Sequence, residues 1–80
     1  MTKQEALAIC KRELKMRGEK LGGEYIYPDQ SRVYARSLKS AAGTYGAART
    51  FIEAVDRADG RGWTFVCDNR EFVPSEEVAR

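Results

Sequence analysis

A chain of eighty residues can close one hydrophobic core and has no material for a second. A fold of this size buries only about 60% of the surface its unfolded chain exposes. The core is then thin, and little volume remains for a deep substrate pocket. The reading is therefore a single compact α+β domain over residues 1–80, with no small-molecule substrate. The apolar runs are all far shorter than the ~18 residues a membrane span requires, and the first five residues, Met1-Thr2-Lys3-Gln4-Glu5, have no signal-peptide character. No membrane partner and a cytoplasmic setting are expected.

The clearest local element is an amphipathic helix at the start. Thr2 is placed to cap it, and Glu5, three residues on, completes a capping box. At 100° per residue, Ala6, Leu7, Ile9, Cys10, Leu14 and Met16 share one arc, while Lys11, Arg12 and Lys15 lie opposite as a basic face. Gly18 is the expected stop, and residues 19–23 read as a loop.

Two short β-prone runs follow, Glu24 to Tyr27 and Arg32 to Leu38. They are joined by Pro28-Asp29-Gln30-Ser31, in which proline fixes φ and aspartate bonds the backbone ahead of it. Together they predict a hairpin. Ala48, Phe51, Val55 and Ala58 recur at helical spacing and predict a second helix from about Thr44 or Tyr45 to Ala58. Trp63 to Cys67 is the strongest strand. Asp68-Asn69 is a two-residue turn, and Arg70 to Val73 its partner strand, ended by Pro74. The expected order is α-β-β-α-β-β, with two helices packed on one antiparallel sheet.

Catalysis finds little support. There is no histidine, the commonest general base. The serines stand in turn-like or cap-like settings, and Cys10 and Cys67 lack a histidine to activate them. Two cysteines without histidine do not make a four-ligand metal site; both are expected as small buried hydrophobes. Glu53, Asp56 and Asp59 would lie at i, i+3 and i+6 on the second helix, the pattern of a solvated face. No catalytic residue, cofactor or metal is expected.

The charge is unevenly placed. Residues 1–50 hold ten Lys/Arg and five Asp/Glu, a balance of +5; residues 51–80 hold four and seven, a balance of −3; the two sum to +2. A basic face and an acidic face suit a binding module with an anionic partner on one side. The segment Tyr25 to Lys39 interleaves Tyr25, Tyr27 and Tyr34 with Arg32, Arg36 and Lys39. On a strand Arg32, Tyr34 and Arg36 point to one side. Tyr and Arg dominate interface energies, so the leading expectation is a non-catalytic regulator or inhibitor that docks on a larger protein or ribonucleoprotein. Its contact residues would be Tyr25, Tyr27, Arg32, Tyr34 and Arg36, with Lys11, Arg12 and Lys15 as a secondary basic face. In size, and in lacking catalytic motifs, the chain is similar to small inhibitors encoded by phages and mobile elements, anti-CRISPR proteins among them.

The second expectation is nucleic-acid binding. Gly43-Thr44-Tyr45-Gly46 ahead of a helix resembles the clamp loop of KH domains, where backbone N–H groups approach a phosphate. Thr44 and Tyr45 stand where such loops usually carry a Lys or Arg. The resemblance implies phosphate contact at Gly43, Gly46 and, one turn on, Arg49. Arg61-Gly62-Trp63-Thr64-Phe65-Val66-Cys67-Asp68 partly resembles the RNP1 strand of RRM domains, with Thr64 in place of a small residue and Asp68 in place of the final aromatic; a Trp-containing core strand after a glycine turn accounts for the same residues.

Overall fold

The computed structural model describes residues 1–29, 31–38, 50–57 and 62–74. Helix α1 spans Lys3–Met16. The Thr2 hydroxyl accepts a hydrogen bond from the Glu5 backbone N–H at 3.1 Å, and the Glu5 carboxylate accepts one from the Thr2 N–H at 2.7 Å. The expected capping box is thus complete. At the other end Gly18 adopts φ +83°, the left-handed conformation that glycine enters without a Cβ penalty. The Gly18 and Glu19 N–H groups turn back onto the carbonyls of Lys15 and Leu14. Removing the capping hydroxyl by Thr2→Ala is expected to cost about 1 kcal/mol. A urea melt should show this as a lower midpoint at unchanged slope.

Five strands follow: β1 (Leu21–Tyr27), β2 (Arg32–Ser37), β3 (Phe51–Arg57), β4 (Gly62–Cys67) and β5 (Arg70–Phe72). They pair antiparallel in the order β1-β2-β3-β4-β5. The proline turn joins β1 to β2 as expected. Asp68 and Asn69, at φ 50° and 71°, make the tight turn between β4 and β5. Positive φ at both central residues is what a two-residue hairpin of this twist requires.

One face of the sheet carries α1. Ala6, Leu7, Ile9, Cys10 and Leu14 pack on Val33 and Ala35 of β2, Ile52 and Ala54 of β3, and Phe65 of β4, all buried. Burying each large aliphatic side chain contributes roughly 1.5–3 kcal/mol. The small residues Ala35 and Ala54, fully covered, let the helix come close to the central strands. β2 alternates half-buried and buried along its length, the period of a strand with one covered face.

The fold differs from the expected topology at the second helix. Among the described residues there is one helix, and Phe51–Arg57 is the central strand of the sheet. Two helices packed on one sheet is therefore corrected to one helix on a five-stranded sheet. Phe51 and Val55 do recur at helical spacing, but Ile52 and Ala54 also alternate at strand spacing. β2 and β4 supply hydrogen-bonding partners on both sides of this segment, and that pairing decides between two periods the local sequence leaves balanced. The first strand also starts earlier than expected, at Leu21.

Candidate functional site

The strand register decides which side chains share the face opposite α1. Four rungs cross the sheet there among the described residues, the last being the pair Arg57 and Gly62. The first holds Gly23, Arg36 and Phe51; the second Tyr25, Tyr34, Glu53, Val66 and Glu71; the third Tyr27, Arg32, Val55 and Thr64. Directly paired residues project to the same side, so the five hairpin residues singled out in the sequence all meet on this face. No helix among the described residues lies over it: α1 packs on the opposite side.

The aromatic rings form one connected cluster. Tyr25 and Tyr27 meet edge to face with centroids 4.9 Å apart, Tyr34 lies 6.0 Å from Tyr25 and 6.1 Å from Tyr27, and Phe51 lies 5.0 Å from Tyr34. These separations are those of favourable aromatic pairs. The cluster is held on strands rather than loops.

The three described arginines of the face differ in their surroundings. Arg32 donates through Nε and Nη2 to Glu53 Oε1 at 3.0 and 2.7 Å, and its guanidinium lies 5.2 Å from the Tyr27 ring centroid. The hydrogen bond to Glu53 first, and its charge second, raise the Arg32 pKa further above its ordinary value. Arg57 bonds the Thr64 hydroxyl and pairs with Glu71 at 3.7 Å. Arg36 has no acidic partner among the described residues. It is half-buried and lies beside Gly23: a Cβ added to that glycine would come within 3.0 Å of Arg36 Nε and 3.3 Å of Cζ and Nη2.

The secondary basic set lies elsewhere. Lys11, Arg12 and Lys15 belong to α1, on the other side of the sheet from the tyrosines. Lys11 pairs with Glu24 at 2.8 Å. Lys11 and Lys15 border a shallow groove of about 350 Å³ with Glu19, Lys20 and Leu21. The two sets do not combine into one contact surface for a flat partner.

Phe51 and Glu53 were missed as members of the site because the helical reading took Phe51 inward and Glu53 to a solvated face. The strand parity of Phe51, Glu53 and Val55 was the signal that could have found them. The same correction breaks up the carboxylate row: Glu53 and Asp56 point to opposite faces of β3, and Asp59 lies outside the described residues. Among the described residues, no three His, Cys, Asp or Glu side chains gather as metal ligands, and both cysteines are free thiols. Cys10 is buried as expected, and Cys67 is only partly covered.

Gly43, Gly46 and Arg49 lie outside the described residues. The helix that a KH-like turn would open has strand β3 in its place from Phe51 onward. At the RNP1-like segment the packing is that of the core-strand account. Phe65 is buried to 4% exposure, and Trp63 packs against the same core, its indole N–H donating to the Met1 carbonyl at 3.2 Å. Thr64 and Val66 take the outward positions, and the aromatic platform stands on β1, β2 and β3 instead. No helix among the described residues is long and apolar enough to cross a membrane. No known family, curated protein or solved structure matches the chain.

Proposed function

We propose that this chain is a non-catalytic interaction protein, a regulator or inhibitor acting in the cytoplasm, that docks on a larger protein or ribonucleoprotein through the open face of its sheet. The observation that carries the reading is the convergence of Tyr25, Tyr27, Tyr34 and Phe51 into one ring cluster beside Arg32 and Arg36, on a sheet face that α1 leaves open. Tyrosine and arginine bring large contact area with a polar end, the composition of interface hot spots. Fixing them on paired strands lowers the entropy lost on docking. The free thiols Cys10 and Cys67 agree with a reducing compartment.

The geometry refines which residues test the reading. Arg32→Glu would set a like charge against Glu53 and disturb the sheet itself, so Tyr25→Ala and Tyr34→Ala are the cleaner substitutions. Each is expected to weaken capture of the partner from an extract of the source cell by about 2 kcal/mol, some thirtyfold, with near-ultraviolet circular dichroism showing an intact core. The reading fails if the same partner is retained by the Tyr25→Ala/Tyr34→Ala double variant.

Nucleic acid is the second reading, because exposed aromatic rings on a sheet can stack unpaired bases. It requires anisotropy titrations with short oligouridine RNA to show binding that falls steeply with salt. Such a result would displace the protein-docking reading.

A further inference from the structure

The three arginines on the open face carry information about what the partner brings. Two are already matched from within the sheet, Arg32 by Glu53 at 2.7 Å and Arg57 by Glu71 at 3.7 Å. Arg36 is not matched among the described residues. It stands on the first rung between Gly23 and Phe51, one rung from Tyr25 and Tyr34. Its guanidinium lies across a position where any side chain would crowd it, and it is half-covered rather than extended into water.

We propose that Arg36 is a receptor for a single carboxylate, an Asp or Glu side chain presented by the protein partner and seated where the guanidinium rests over Gly23, one rung from Tyr25 and Tyr34. This rests on the docking function proposed above and adds the chemistry of the partner's contact. A planar guanidinium fork matches a carboxylate by two parallel hydrogen bonds. A partner that covers the face excludes water from such a pair, which strengthens it. The charge on the face favours one carboxylate over a polyanion. Nucleic acid affinity comes from neutralising several phosphates at once, whereas Arg32 and Arg57 are already engaged with Glu53 and Glu71. Gly23 follows from the same geometry: its missing Cβ is what lets the guanidinium rest against β1.

The test uses the full chain, immobilised, and a phage library of disulfide-cyclised random peptides as the probe. Binders are sorted by whether Tyr34→Ala abolishes them, which selects those on the open face. These peptides are expected to share one Asp or Glu. Arg36→Gln should weaken them at least about tenfold, the loss of one charge-assisted contact. Arg36→Lys should restore binding only in part, because a point charge replaces the fork. Arg57→Gln, which removes the same charge from the same face, should change affinity less than about twofold. Face-binding peptides with no shared acid, or with unchanged affinity for Arg36→Gln, overturn the carboxylate receptor and leave the docking face standing. A library yielding no binder that depends on Tyr34 overturns both. Oligouridine RNA bound by the chain and lost in Arg36→Gln would assign the arginine to phosphate and overturn the proposal.

Discussion

Ile52→Ala is expected to destabilise the protein by about 2–5 kcal/mol, whereas Val55→Ala should cost about 0.5 kcal/mol or less. The contrast follows from the parity of β3. Ile52 is fully buried between α1 and the sheet, and its truncation removes apolar contact and leaves a cavity. Val55, three residues along, points to the other face and keeps 38% of its surface in water. A helix over the same residues would reverse the ranking, because Phe51 and Val55 would then form the inward stripe. Urea melts of the two variants measure the difference directly. A larger loss for Val55→Ala than for Ile52→Ala would refute the central strand. A domain of this size has a total stability near the lower end of about 5–15 kcal/mol. At the upper end of the expected loss, Ile52→Ala should therefore leave a large unfolded fraction even without denaturant.

The second large effect is alkaline. Cys10 is fully buried on the sheet-facing side of α1; its burial, and then the charges of Glu53 and Glu13, push the thiol from 9.0 up to about 12. Below pH 9 the thiol is protonated in both the folded and unfolded chains and adds no pH dependence. Between pH 9 and about 12 the unfolded chain releases a proton that the folded chain keeps. The unfolded state then binds fewer protons, and stability falls as pH rises. Each pH unit costs up to about 1.4 kcal/mol, so the three units from 9.0 to about 12 amount to roughly 4 kcal/mol at the upper end. Stability measured against pH for the natural chain and for Cys10→Ala should diverge above pH 9, with the variant less sensitive. Parallel curves would show that ionisation of Cys10 does not oppose folding. The partly covered Cys67 should meanwhile react with iodoacetamide before Cys10 does, since the thiolate is the reactive form and needs access.

What the sequence made legible was local. Thr2 and Glu5 cap α1 from within one turn, Gly18 ends it, and Asp68-Asn69 closes a hairpin by backbone conformations those two residues tolerate. The segment Phe51–Arg57 was not legible in the same way. Its alanine neighbours raise helix propensity, and its own apolar residues satisfy both periods. What selects the strand is pairing with β2 and β4, which lies outside the segment. The face opposite α1 followed the same division. The shared side of Arg32, Tyr34 and Arg36 came from strand parity alone. The inclusion of Phe51, and the engagement of Arg32 by Glu53, depended on β3 lying next to β2. Lys11 lies on α1 with Arg12 and Lys15, and its pairing with Glu24 across to β1 needed the packing angle of the helix.

The sheet is a meander in which every strand pairs with the next one along the chain. None of the described strands waits for a distant stretch of polypeptide to return and fill a gap between earlier ones. Each new pairing encloses a limited loop, so the entropy of closure stays small at every step, and contacts between near neighbours are the kind that fold fast. A growing chain emerging from the ribosome could therefore add β2, β3, β4 and β5 in the order of their synthesis, each laid on the edge left open by the one before.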